Sequence, residues 1–180
     1  MTWLLLAFAR GGAARYLSHL DTARALLRTF ARAEVGLALS QGMRPKPRLS
    51  LGLPLPVGAA ARCELAAAEL AHDEIRAEPV LLEALRDAAP EGLVPLAVEF
   101  ASQRVRLEPR AAVYECTVET DAERMRTAAE AFAVAPSAVV ERRAPKGVRR
   151  IDVKRYVTEV RVLPGAARPI GSGVWPGGSA

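Results

Sequence analysis

The stretch from Ser40 to Gly58 carries prolines at positions 45, 47, 54 and 56, and it restricts the fold more than any other part of the chain. Proline lacks a backbone N–H and holds φ near its ring value. Pro45 and Pro47 therefore exclude the loop SQGMRPKPR, residues 40–48, from a helix interior and keep it extended. LPLPVG then turns the chain through Gly58. Before this stretch, the run TWLLLAFA at 2–9 is apolar and is followed by Gly11 and Gly12, so it reads as a buried strand and a turn. That run is too short to cross a membrane and has no basic leader, so neither an anchor nor a signal peptide is expected.

Residues 19–33 have helical periodicity, with Leu20, Ala23, Leu27 and Phe30 on one predicted apolar face. Ser18 is the predicted cap, Asp21 suits the first turn, and Gly36 is the predicted end. Residues 49–53 resume a strand and 61–70 form another. Residues 79–88 form a short helix with Pro79 in its first turn, and 94–101 a strand in which Pro95 marks an edge or a late start. The order β-α-β-β-α-β predicts an α+β fold: a ferredoxin-like sandwich over 1–101, with an antiparallel sheet and two helices on one face.

Residues 102–110 read as a polar connector. A second, smaller α+β unit, a partial ferredoxin-like one, is expected over 111–163. Its predicted strands lie at 113–118, 138–142, 148–153 and 158–163, and its helix at 121–133. No internal repeat relates the halves. Residues 164–180 are rich in glycine and proline and predict a flexible tail, in which Trp175 has no assigned role.

Hydrophobic residues make up 51% of the chain but aromatics only 5%, so the core is expected to be thin and aliphatic. The net charge of +5 and pI near 9.8 favour a polyanion such as RNA, DNA or an acidic protein surface. Arginine far outnumbers lysine and alanine is abundant, a pairing that GC-rich coding also yields, so placement carries more than number. Arg24, Arg28 and Arg32, spaced by four, form a basic stripe on the first predicted helix. Such a stripe is ordinarily a solvated face. Arg44, Lys46 and Arg48 make the proline-stiffened loop basic as well. Cys63 and Cys116 are far apart with no CxxC partner, which argues against zinc or cluster binding by this chain alone. Each sits in a strand-like run and is expected to be a buried free thiol in a reducing cytoplasm.

RYLSHLD at 15–21 with Arg24, SQGMRPKPRLS at 40–50, LPLPVG at 53–58 and Glu64 together resemble the radical-SAM-linked family of domains of unknown function. PEGL at 90–93 and IDVKRYV at 151–157 add weaker matches. Met43 stands where the family usually has an aromatic, Ala61 where serine is common, and 164–180 where a closing helix is expected. The resemblance implies a radical-SAM enzyme as a partner on a separate chain. Two distant cysteines cannot supply the closely spaced triplet of that chemistry, so no cofactor and no metal are expected here.

Three functional readings follow. In the first, the chain is an RNA-binding accessory module that presents Arg15, His19, Arg24, Arg28, Arg44, Lys46 and Arg48 to tRNA or rRNA and delivers it to the partner. Arg15, Tyr16 and His19 would face an anion at a helix N-terminus, whose free N–H groups attract negative charge. The alternative for that segment is that Ser18 and Asp21 only cap the helix while His19 packs. In the second reading, the chain is an RNA-processing enzyme: His19 acts as acid or base, Tyr16 supports it, and Lys46 stabilises a charged transition state. Ser18, His19 and Asp21 are sequence neighbours and not a triad. Glu64 and Asp152, on predicted strands, are further candidate carboxylates. In the third reading, LPLPVG docks the radical-SAM partner enzyme and the chain touches no nucleic acid. No membrane contact is expected.

Overall fold

The computed structural model describes residues 2–74, 76–144 and 147–163. The fold is mixed α+β, with a four-stranded antiparallel sheet and three helices among the described residues. The chain divides after Ala112 into two units.

The first unit runs β1 (Trp3–Arg10), a 3-10 turn (Gly12–Tyr16), α1 (His19–Arg32), β2 (Leu49–Leu51), β3 (Ala61–Glu69), α2 (Glu78–Ala88) and β4 (Leu93–Ala101). The sheet order is β2-β3-β1-β4, and every neighbouring pair is antiparallel. The most apolar strand, β1, is thus central. Leu4 lies opposite Ala68 and Phe100, and Leu6 opposite Ala66 and Val98. With Phe8, they present one face at a period of two, and that face packs on Leu26 and Phe30 of α1 and Leu81 and Leu85 of α2. Each fully buried leucine or phenylalanine contributes about 1.5–3 kcal/mol. The alanines of β3 weaken its strand propensity, yet they place a small side chain opposite each leucine, which favours close packing.

Pro95 lies on the edge strand β4, where the missing N–H costs no ladder bond. A register shift falls in this region, between Ala7 and Phe8 of β1. Side chains of α2 cover part of this edge: Arg86 Nε donates to Pro95 O at 3.0 Å, and Phe100 N–H donates to Glu78 Oε1 at 3.2 Å.

Two expectations about α1 are corrected. Its buried face is Thr22, Ala25, Leu26, Thr29 and Phe30, while Leu20 is 67% exposed. Threonine is tolerated inside because each hydroxyl donates back to a carbonyl four residues earlier, Thr22 to Ser18 O and Thr29 to Ala25 O, both at 3.0 Å. Apolarity alone thus placed the face one step around the helix. The helix also ends before Gly36. Ala33 is the C-cap, and Glu34 takes the left-handed conformation (φ 58°). Val35 N–H donates to Phe30 O and Glu34 N–H to Ala31 O, a Schellman arrangement with glutamate in the place glycine usually takes.

The second unit holds α3 (Ala122–Val134), the hairpin β5 (Val139–Ala144) and β6 (Gly147–Asp152), and a 3-10 turn (Val153–Arg155). Asp121 caps α3 by accepting from Arg124 N–H. Met125, Ala129 and Phe132 are half-buried along one side of α3, which has no fully buried residue. Residues 113–118 and 158–163 are not strands. Alternating apolar residues without a hydrogen-bonded neighbour do not make a ladder. Cys63 and Cys116 are both exposed, contrary to expectation: Cys63 alternates with inward-facing Glu64 on β3, and Cys116 lies in the irregular 113–118 segment. The expected tail at 164–180, including Trp175, lies outside the described residues.

Candidate nucleic-acid interface

The RYLSHLD segment is organised around a residue that sequence reasoning passed over. Arg10 ends β1 with the inward parity of Leu4, Leu6 and Phe8, and is 1% exposed. Its Nη1 donates to Leu17 O at 3.2 Å and Thr22 Oγ1 at 3.0 Å, and its Nη2 donates to Ala59 O at 3.3 Å. Its Nε lies 3.3 Å from Glu64 Oε1. One guanidinium therefore ties β1, the entry to α1, the turn after LPLPVG and β3 together. Burial pushes the Glu64 carboxyl above the ordinary glutamate range, opposed by the charges of Arg10 and His19. The signal for Arg10 was present as a charge at an inward strand position just before Gly11.

Around this pair, Ser18 and Asp21 cap α1. Asp21 N–H donates to Ser18 Oγ at 3.2 Å, and Ser18 Oγ donates to the Asp21 carboxylate at 2.6 Å. The Ser18 hydroxyl first, and then Arg24 at 3.0 Å, hold Asp21 below its usual range. His19 is half-buried, close enough to Glu64 for its charge to act there. Arg15 stacks on Tyr16 with its Cζ 4.7 Å from the ring centroid, and its Nη2 donates to Tyr16 Oη at 2.5 Å. Gly58 N–H donates to Arg15 O at 2.8 Å, and Gly58 takes φ +93°, so a turn glycine seats the motif. Tyr16 is 59% exposed.

Residues 4–171 match the model of a family described as an uncharacterized protein conserved in bacteria (DUF2344). The chain belongs to this family. No curated protein matches it.

In this DUF2344 member, the basic loop is closed on itself. Ser40 N–H donates to Lys46 O at 2.8 Å, Lys46 N–H to Ser40 Oγ at 3.0 Å, and Arg48 N–H to Ala38 O at 2.8 Å. Gly42 takes φ +126°. Arg44 and Lys46 are exposed and have no ion-pair partner among the described residues, as is also true of Arg28 on α1. Arg48 differs: its Nη1 lies 2.7 Å from Glu69 Oε2, and that glutamate is buried. The structure thus brings together Arg10, Glu64 and His19, and separately Arg15, Tyr16 and Gly58. No hydrogen bond or ion pair joins Lys46 to His19 or Tyr16 among the described residues.

Asp152, a candidate carboxylate, accepts from Ala138 N–H at 2.9 Å and Lys154 N–H at 3.2 Å. Lys154 Nζ donates to Phe132 O and Ala133 O, at the C-terminal end of α3 where a cation is favoured. The IDVKRYV match is therefore explained locally by these bonds. Two open concavities, of about 510 and 540 Å³, are bordered by Arg32, Glu34, Arg76 and Asp87 and by Thr2, Glu69, His72 and Asp73. Neither borders Tyr16, His19 or Lys46. Among the described residues, no group of three His, Cys, Asp or Glu side chains is placed to hold a metal ion, and no helix is long and apolar enough to cross a membrane.

Proposed function

We propose that the first unit is an RNA-binding module that engages phosphates through Arg28, Arg44 and Lys46, with Arg24 and the Arg15–Tyr16 pair beside the helix start. The observation that carries this reading is an imbalance of partners. The nearby carboxylates of Asp21, Glu64 and Glu69 are each engaged with an arginine, whereas Arg28, Arg44 and Lys46 are exposed and unpaired among the described residues. Uncompensated exposed cations that gain phosphate partners release counterions, which drives binding to RNA. The β-α-β-β-α-β order, the 2-3-1-4 antiparallel sheet and the packing of α1 and α2 on one face support a ferredoxin-like reading of the unit. Four-stranded sheets of this kind carry RNA in other proteins, and that support is by analogy of fold. The radical-SAM enzyme on a separate chain belongs to the same proposal and rests on the RYLSHLD and SQGMRPKP motifs; the cytoplasmic setting rests on two distant cysteines with no disulfide framework, and tRNA and rRNA are both candidate partners.

The test is binding of the full chain to bulk tRNA and to rRNA across a salt series, beside an Arg44→Ala/Lys46→Ala variant. Arg48 is left intact because it neutralises buried Glu69. Binding that weakens steeply with salt and has a slope lower by about two in the variant supports the reading. Absence of binding at low salt removes it.

A further inference from the structure

The second unit carries a basic ribbon that none of the sequence motifs points to. In the β5–β6 hairpin, Arg142 lies directly opposite Arg149, Glu141 opposite Arg150, and Arg143 opposite Val148. Side chains alternate between the two faces of a hairpin, so Arg142 and Arg149 share a face with Val140 and Ile151. Glu141 and Arg150 compensate each other on the opposite face, at 3.9 Å. Arg142, Arg143 and Arg149 are exposed and have no ion-pair partner among the described residues.

Like charges directly opposite across a ladder destabilise it. A hairpin with no third strand among the described residues has little ladder energy to spare for such a pair, since two-stranded sheets are marginal in water. The Arg142–Arg149 pairing works against folding of the free chain, and an anion held between the two guanidiniums would relieve it. Guanidinium groups match phosphate oxygens in a planar, two-point geometry.

We propose that the β5–β6 ribbon is a second RNA-binding site, in which Arg142 and Arg149 straddle the phosphodiester backbone of duplex RNA and Arg143 adds a contact from the other face. The choice of RNA over other polyanions rests on the reading given above for the first unit. The site itself rests on the cross-strand pair. Duplex RNA is recognised mainly through its backbone and shape, which suits a ribbon offering arginines and no exposed aromatic on these two strands.

The experiment measures binding of a labelled RNA hairpin of about 16 base pairs, the span of a typical duplex-RNA reader, to the full chain. The variants are Arg142→Gln/Arg149→Gln, Arg149→Glu, and Arg28→Gln/Arg44→Gln in the first unit. The ribbon double variant is expected to bind at least about tenfold more weakly near physiological salt and to lose about two from the salt slope. Arg149→Glu gives Arg142 an opposite charge across the ladder. It is expected to keep or raise the melting temperature while abolishing ribbon binding, which separates loss of contact from loss of fold. Unchanged affinity in both ribbon variants, with loss in the first-unit variant, overturns this inference and leaves the first-unit reading standing. Loss only in the ribbon variants does the reverse. Failure of the intact chain to bind RNA at low salt overturns both. Equal competition by polyglutamate, or equal affinity for a DNA duplex of the same sequence, overturns the assignment to RNA.

Discussion

Arg10 Nε lies 3.3 Å from Glu64 Oε1 inside the protein, and neither atom has a hydrogen-bond partner among the described residues. The two are held by charge, while the other nitrogens of Arg10 are occupied by Leu17 O, Thr22 Oγ1 and Ala59 O. Replacing Arg10 with Met keeps much of the volume, removes three donated bonds and strands the Glu64 carboxyl away from water. The expected cost is about 3–5 kcal/mol, the usual penalty for breaking a buried pair from one side. Urea denaturation followed by circular dichroism reads it directly. Because the same guanidinium positions the RYLSHLD turn, Arg10→Met is also expected to weaken RNA binding. A loss below about 1 kcal/mol means that the pair is peripheral.

Glu64 makes stability depend on pH in an unusual direction for a carboxylate. Burial raises its folded pKa above 4.5, the ordinary glutamate value, so between the two values the folded chain holds a proton that the unfolded chain has released. The contribution is fully present below pH 4.5 and is lost as pH rises through the folded pKa. Asp21 behaves oppositely, with a folded pKa lowered from 3.8, so its contribution disappears only in more acidic solution. Melting temperatures of the native chain and Glu64→Gln between pH 4.5 and 7.5 isolate the effect. The native chain should lose ground against the variant as pH rises. A constant gap, or one that moves the other way, shows that Arg10 outweighs the burial of Glu64.

The element order of the first unit was legible because its signals are local: the proline-rich 40–58 stretch, the Ser18 cap, Pro79 at the start of α2 and Pro95 on an edge strand. The buried face of α1 was not, because Thr22 and Thr29 count as polar until their hydroxyls are seen bonded to the preceding turn. Arg10 was missed for a related reason, since its burial is stabilised by carbonyls that only tertiary structure delivers. Among the expected RNA contacts, the exposure of Arg28, Arg44 and Lys46 follows the sequence pattern, whereas the engagement of Arg48 by Glu69 spans 21 residues and leaves no local trace. In the second unit, 113–118 and 158–163 have strand composition without a neighbour to pair with among the described residues, which composition cannot reveal.

The PEGL match has a backbone explanation that can be tested by one methyl group. Gly92 sits at φ +83°, and a Cβ there would lie 2.6 Å from Gly11 O and 2.9 Å from Ala14 Cβ. Gly11 N–H in turn donates to Gly92 O at 2.8 Å, so the two turns are clamped against each other. Gly92→Ala adds both left-handed strain and an overlap that backbone must yield to, with an expected cost of about 2–4 kcal/mol. Thermal unfolding checks it, and a variant that melts within a degree of the native chain refutes the close approach.

Glu34 is the converse case, a left-handed position occupied by a residue with a side chain. It stands at φ 58° directly after α1, where the Schellman bonds of Val35 and Glu34 require that geometry whatever the side chain. Glycine removes the steric cost of about 1–2 kcal/mol, but it also loosens the unfolded chain by about 0.5–1 kcal/mol. The charge of Glu34 acts favourably on Arg76, whose Nη1 donates to Ala33 O at 2.9 Å, but Glu74 supplies the larger share of that stabilisation. The net expectation for Glu34→Gly is therefore a gain of about 0.5–1 kcal/mol, or a few degrees in melting temperature for a unit of this size. Glu34→Ala is expected to do less, because alanine keeps the Cβ that makes the conformation costly. If alanine stabilises as much as glycine, the relief comes from removing the glutamate charge and not from the backbone.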